Sequence, residues 1–179
     1  MKKIKINKNY GILFFVTGLS GSGKSSISKK LIIKLRKTYG PTFLYSGEKI
    51  RNIFGFVGFS RNERIKLGKR NIKFINYILG QKINVLYDAM ALLKVLRSLK
   101  RKKIKNYVEI FIKTNVNQII KLNKKNKIYK RNKKNIVGIH IKPEFPLNPH
   151  IVIKNYFKKN AKELSNEVFK KIQKKLSFK

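Results

Sequence analysis

Residues 18–25 of the chain read GLSGSGKS and fit the pattern G-x-x-x-x-G-K-[ST] of a phosphate-binding loop, or P-loop. Its glycines allow successive backbone N–H groups to turn inward around a polyphosphate, and the helix that follows adds its positive N-terminus. A chance turn rich in Gly and Ser could give the same letters. The apolar strand before the loop and the amphipathic helix after it favour the motif, because this is the context that it requires.

We therefore predict a nucleotide site that binds ATP and Mg²⁺. Lys24 would reach the β- and γ-phosphates, and the Ser25 hydroxyl would contact the metal. Phosphoryl transfer depends on positioning and on cations around the phosphates, so Lys24 is also predicted to be catalytic. The predicted nucleotide-binding residues are Gly18, Ser20, Gly21, Ser22, Gly23, Lys24, Ser25 and Ser26.

Carboxylate chemistry has few sources in this chain, because it has 7 acidic residues. Asp88 is the only Asp, and it ends an apolar strand, the Walker-B arrangement that brings a carboxylate beside a P-loop. We predict Asp88 to be catalytic and a ligand of Mg²⁺ or its water shell. An Asp at a strand end could instead cap the next helix. No spacing of Cys, His or acidic residues resembles a zinc site.

The elements that must position these residues alternate along the chain, which favours an α/β fold with a parallel sheet and helices on both faces. Apolar and β-branched runs predict the strands, and four-residue apolar spacing predicts most of the helices. The predicted strands cover residues 12–17, 42–45, 83–87, 107–113 and 151–153. The predicted helices cover residues 24–37, 61–79, 91–102, 115–122 and 161–176.

The chain of 179 residues has the length of a single domain and lacks cysteine, which excludes disulfides and favours a cytoplasmic protein. Its 45 Lys and Arg against 7 acidic residues give a formal charge of +38. Such a charge fits nucleic-acid binding, but it also fits a compositional bias combined with anionic small-molecule ligands. No apolar stretch approaches the roughly 18 residues of a membrane span, so no membrane segment is predicted.

The ordered motifs resemble those of adenylylsulfate (APS) kinases, small P-loop kinases that phosphorylate the 3′-hydroxyl of adenosine 5′-phosphosulfate. After the P-loop, SGEKIR at 46–51 stands where the family has Asp-Gly-Asp-x-x-Arg, and GFS at 58–60 is similar to its Gly-Phe-Ser. The resemblance continues, in the right order, through YVEIF at 107–111, IYK at 128–130, VGI at 137–139 and PEFP at 143–146.

This resemblance implies a three-layer P-loop kinase fold with a parallel five-stranded sheet, formed by one domain over residues 1–179. The basic segment at about 123–135 would be its lid. The resemblance further implies that Glu48 orients the acceptor hydroxyl or acts as base, and that Arg51, Phe59 and Arg64 bind the substrate. Glu48 could also be only a solvated Glu at a helix N-terminus. Family members often form homodimers, so the resemblance allows a homodimer, although the sequence does not give the oligomeric state.

The departures from the family pattern cluster on the acceptor side. Ser46 replaces the family's first carboxylate, Leu67 stands at an Asn, and Ile136 stands at the second of two Phe residues that stack on the substrate adenine. We hypothesise that Asp88 compensates for the acid missing at Ser46. These changes put the acceptor in more doubt than the ATP site.

Three functions follow. The first is APS kinase, which would place the chain in sulfate assimilation. The second is a kinase of the same fold that acts on a different nucleotide-activated metabolite. The third is a basic, nucleotide-dependent protein that binds nucleic acid, which the charge supports but no recognised nucleic-acid module does.

Overall fold

The computed structural model describes residues 3–56, 58, 60–90, 92–122, 137 and 141–178. Its strands are β1 (Ile4–Ile6), β2 (Leu13–Thr17), β3 (Thr42–Ser46), β4 (Asn84–Asp88), β5 (Tyr107–Lys113), β6 (Ile151–Lys154) and β7 (Leu176–Phe178). Its helices are α1 (Lys24–Tyr39), α2 (Gly47–Ile53), α3 (Arg61–Gly80), α4 (Lys94–Lys103), α5 (Val116–Lys121) and α6 (Ala161–Lys175).

Five strands form a parallel sheet in the order β3-β4-β2-β5-β6. Every residue of the two central neighbours β2 and β4 is buried, as expected of parallel strands that helices cover on both faces. Because the strands run in the same direction, their carboxyl ends meet at one edge of the sheet. The P-loop, which follows β2, therefore lies beside the last residues of its neighbours β4 and β5.

Helices cover both faces of this sheet. Phe14 of β2 packs in a buried cluster with Leu31 of α1 and Val168 of α6. Its neighbour Phe15 points to the opposite face and packs in a second cluster with Ile75 of α3. The predicted α/β fold, with a five-stranded parallel sheet and helices on both faces, is confirmed.

Three short elements lie outside the predicted set. Helix α2 follows β3 directly, and β1 pairs in parallel with β7 to form a separate two-stranded sheet. The predicted helix over 91–102 begins later, at Lys94. The proposed lid at 123–135 lies outside the described residues, so its role stays a prediction, as does the single-domain organisation of the chain.

Candidate active site

The P-loop turns tightly between β2 and α1. Gly18 has φ +151°, and a Cβ atom there would lie 2.5 Å from the Ile112 carbonyl oxygen, so the loop passes β5 too closely for a side chain. The Lys24 side chain is buried and folds back over the loop, where its Nζ donates to the Leu19 carbonyl at 2.6 Å. The predicted phosphate-binding cation is therefore held at the loop itself.

Asp88 lies at the carboxyl end of β4, where it pairs in register with Ser46 of β3 and with Val16 of β2. Only 5% of Asp88 is exposed, and this burial raises the pKa of its carboxyl. The Ser46 hydroxyl, the positive charge of Lys24 and the Ser25 hydroxyl oppose the rise in pKa. The structure thus places Asp88 near both P-loop residues predicted to act on phosphate and metal.

The alternative role of Asp88 as a helix cap does not fit the structure. The next helix, α4, begins at Lys94, and its N-cap residue is Leu93. The carboxylate that caps α4 comes instead from Glu144, whose Oε2 accepts a hydrogen bond from the Lys94 backbone N–H. The sequence shows Glu144 only as part of the PEFP segment, which resembles the family's, and gives no sign of its role as a helix cap.

Glu48 lies in the first turn of α2, immediately after β3, and its side chain is exposed. Its negative charge is close enough to raise the pKa of Asp88. The structure therefore brings Glu48 to the same edge of the sheet as Lys24, Ser25 and Asp88. It also agrees with the simpler description of Glu48 as an acid at a helix N-terminus, so its catalytic role stays a prediction.

The two predicted substrate arginines lie near each other. Arg51 Nη1 donates to the Gly58 carbonyl at 2.6 Å and to the Phe56 carbonyl at 3.3 Å, which anchors the segment that precedes α3. Arg64 is partly buried; its burial and the nearby charge of Arg51 lower its pKa. The third predicted substrate residue, Phe59, lies outside the described residues.

The start of α3 is fixed locally by a capping box. The Ser60 hydroxyl accepts from the Glu63 N–H, and the Glu63 carboxylate accepts in turn from the Ser60 N–H. The S-x-x-E spacing of this box is visible in the sequence. Because Arg64 lies in the first turn after the cap, the box fixes the backbone position from which the Arg64 side chain extends.

Asn155 is a P-loop contact that the sequence did not suggest. It follows β6 directly, it is 4% exposed, and its Nδ2 donates to the Ser22 carbonyl at 3.0 Å. The one available signal was its place at the carboxyl end of a predicted strand, the edge where α/β sheets bind ligands.

The residues that could hold Mg²⁺ are Ser25 and Asp88. Their hydroxyl and carboxylate are hard oxygen donors of the kind that Mg²⁺ prefers, and Ser25 is close enough to Asp88 to affect the pKa of its carboxyl. Within the described part of the chain, no group of three His, Cys or acidic residues could hold a metal. Mg²⁺ typically needs only one or two protein ligands and otherwise binds water and phosphate, so this pair fits the ion.

A family model described as adenylylsulphate kinase matches residues 10–154 of the chain. The chain belongs to the adenylylsulphate kinase family. This membership confirms the expected family, and it makes the chain a nucleotide-binding phosphotransferase with ATP as the implied donor. None of the helices described is long and apolar enough to cross a membrane.

Two curated members of related function are similar over most of their length. The cytidine diphosphoramidate kinase of Campylobacter jejuni subsp. jejuni serotype O:2 is 29% identical over 168 residues, which cover 92% of this chain and 98% of that protein. The adenylyl-sulfate kinase of Gloeothece citriformis is 31% identical over 149 residues, which cover 80% and 84%.

The fold also matches a solved adenylylsulphate kinase. The Mycobacterium tuberculosis APS kinase CysC in complex with AMPPNP and APS superimposes with a TM-score of 0.82 at 24% identity, covering 92% of this chain and 98% of the other.

Proposed function

We propose that this chain is an ATP-dependent kinase that transfers the γ-phosphoryl group of ATP to a hydroxyl of a nucleotide-linked acceptor. The observation that carries the proposal is the place of buried Asp88 at the carboxyl end of β4, in register with Val16 of β2, the strand that leads into the P-loop with Lys24 and Ser25. These three groups supply the cation, the hydroxyl and the carboxylate that phosphoryl transfer with a bound metal requires.

Each of these residues has a distinct task in the proposed reaction. The P-loop N–H groups cradle the phosphates, and Lys24 neutralises charge on the β- and γ-phosphates. Ser25 and Asp88 hold Mg²⁺ and its water shell; the ion, when bound, supplies further positive charge for the transferring group. Asp88 is buried and assigned to the metal, so we assign the acceptor hydroxyl to the exposed carboxylate of Glu48, which orients it or takes its proton.

Arg51, Arg64 and Phe59 are proposed to bind the acceptor. Two guanidinium groups held near each other repel, and an anionic group that both of them bind offsets that repulsion. A phosphate or phosphoramidate group of the acceptor is such an anion. Arg51 on α2 and Arg64 at the start of α3 lie near each other and follow β3, whose carboxyl end is at the P-loop edge of the sheet. This placement supports a small anionic ligand over a nucleic acid, which remains the second class of partner.

Of the two acceptors that relatives suggest, we favour cytidine diphosphoramidate over adenylylsulfate. The similarity to the kinase named for it extends over 98% of that protein. The acceptor side also departs from the APS kinase pattern at Ser46, Leu67 and Ile136. Loss of one of two stacking Phe residues suits a base smaller than adenine. A homodimer and a cytoplasmic location remain predictions, and a place in sulfate assimilation belongs to the adenylylsulfate alternative.

The test is ADP release from Mg-ATP by the purified chain with cytidine diphosphoramidate, with adenylylsulfate and with no acceptor. We expect turnover that depends on cytidine diphosphoramidate and that disappears in Lys24→Ala. Turnover with adenylylsulfate alone would replace this acceptor with the one expected from the family name. Turnover with neither would overturn both acceptors, and unimpaired turnover in Lys24→Ala would overturn the site.

A further inference from the structure

The Ser22–Gly23 peptide of the P-loop is held from outside by Asn155, which lies 133 residues further along the chain. Asn155 follows the outermost strand β6, and its backbone N–H continues the sheet by donating to the Lys113 carbonyl at 2.9 Å. The sheet therefore fixes the Asn155 backbone, and the side chain then reaches the loop. This contact links β5, β6 and the P-loop.

The orientation of the Asn155 amide follows from its two contacts. Its Oδ1 accepts from the Phe157 N–H at 2.8 Å, so its Nδ2 must point the other way, toward the Ser22 carbonyl. Both ends of the amide are thus used, within a residue that is 4% exposed. A side chain held on both sides in this way has a single low-energy orientation.

The loop needs this support because of the residue that follows Ser22. Gly23 has φ +89°, and a glycine at this point permits the Ser22–Gly23 peptide plane to rotate at little cost. In a trans peptide the carbonyl and the N–H point in opposite directions, and the described chain has no cis peptide. Fixing the Ser22 carbonyl on one side therefore fixes the Gly23 N–H on the opposite side.

We propose that Asn155 is a positioning residue for nucleotide binding, which holds the Ser22–Gly23 peptide so that the Gly23 N–H is presented to a phosphate group. Without Asn155, the plane samples both orientations, and ATP binding must select one of them. The inference rests on the proposed ATP site, but it does not depend on the identity of the acceptor.

Asn84 provides a matched control, because it is a buried asparagine with the same two kinds of contact. It is 5% exposed, its Oδ1 accepts from the Ile12 N–H, and its Nδ2 donates to the Tyr39 carbonyl, both at 2.8 Å. It begins β4, so it lies at the end of the sheet away from the P-loop.

The experiment measures the Kd of AMPPNP with Mg²⁺ by calorimetry, together with thermal unfolding, for wild type, Asn155→Ala and Asn84→Ala. We expect both variants to lose thermal stability, whereas only Asn155→Ala raises the Kd, by about tenfold, the effect of roughly one hydrogen bond. If Asn155→Ala fails to fold, Asn155→Ser replaces it, since a hydroxyl can still accept from the Phe157 N–H but is too short to reach Ser22.

An unchanged Kd in the Asn155 variant, or an equal rise in Asn84→Ala, would overturn this inference and leave the proposed kinase function intact. A wild-type chain that binds no AMPPNP would overturn both together. A rise in Kd confined to the Asn155 variant establishes the positioning role, whichever acceptor is found.

Discussion

Ser46 and Asp88 pair in register on the adjacent parallel strands β3 and β4, and Ser46 opposes the rise in pKa that burial causes at the Asp88 carboxyl. The APS kinase pattern implies a carboxylate at the position of Ser46, and this chain has its carboxylate on the neighbouring strand. Relative to the family pattern, the carboxylate lies one strand away, on β4 instead of β3, at the same edge of the sheet. This placement gives a physical basis to the hypothesis that Asp88 compensates for the acid missing at Ser46.

We expect Asp88→Ser to lower kcat by a factor of about 10² to 10³, the usual cost of removing one preorganised charged group from a transition state. The double variant Ser46→Asp with Asp88→Ser returns a carboxylate to the β3 side of the same pair, and we expect it to recover part of the loss. Steady-state kinetics at saturating ATP provide the measurement. If the double variant is no faster than Asp88→Ser, the two positions are not interchangeable.

Glu48 should be separable from the ATP site. We expect Glu48→Gln to reduce kcat by a factor of about 10² to 10⁴, the range of general acid–base catalysis, with the Kd of AMPPNP unchanged. Glu167→Gln is the control, because Glu167 pairs with Lys159 and Lys171 next to and on α6. Comparable kcat values in these two variants would assign Glu48 the simpler role of an acid at a helix N-terminus.

Glu144 should contribute to stability mainly through its cap on α4. Its Oε2 accepts from the Lys94 N–H, whereas its Oε1 pairs with the largely exposed Arg61. We expect Glu144→Ala to lower the free energy of unfolding by about 1 kcal/mol, as the loss of a helix cap does. Arg61→Ala removes only the exposed ion pair and should cost less than about 0.5 kcal/mol. Thermal unfolding that gives equal losses would contradict this division.

Lys100 should make stability depend on pH. It lies on the buried face of α4 and is 2% exposed, with its Nζ 3.9 Å from the centre of the Phe15 ring. This burial lowers its pKa from 10.5 to about 7. The charge of Glu109 opposes this drop in pKa, and that of Arg97 adds to it. Between pH 7 and 10.5 the unfolded chain holds a proton that the folded chain has lost. Stability therefore rises with pH across this window, and below it the full cost of burying the charge remains.

We expect Lys100→Met to raise the melting temperature at pH 7 and to flatten this rise relative to wild type, because an apolar side chain avoids the burial of a charge. Lys103→Met, an exposed position on the same helix, should leave the pH dependence unchanged. Melting temperatures of the three proteins from pH 6 to 10 provide the comparison. A Lys100→Met protein that is less stable at every pH would show that the ammonium over Phe15 stabilises the fold.

The strands and the P-loop could be predicted because their signals are local. The run Tyr107–Lys113 is rich in β-branched and aromatic residues, and the structure gives it the predicted bounds. Helix α2 has no buried residue, so there was no apolar spacing to reveal it. Leu176 continues the four-residue stripe of α6, which hid the start of β7.

The contacts that complete the site could not be predicted, because they join distant parts of the chain. The start of α4 depends on Glu144, which lies 50 residues beyond Lys94. Sequence reasoning therefore could not decide whether Asp88 caps this helix. The support that Asn155 gives to Ser22 depends on the register of β6 against β5. Sequence spacing indicates which residue types are present, but pairing between strands decides which of them meet.

The packing of α1 against α6 has a consequence for the order in which the chain folds. One face of the sheet is covered by a helix made early in synthesis and a helix made late, and β1 likewise pairs with β7. Until α6 and β7 have left the ribosome, the apolar face of α1 and its side of the sheet lack their cover. Contacts of such long sequence separation form slowly and leave aggregation-prone surface exposed, so this half of the molecule is where the nascent chain would most need a chaperone.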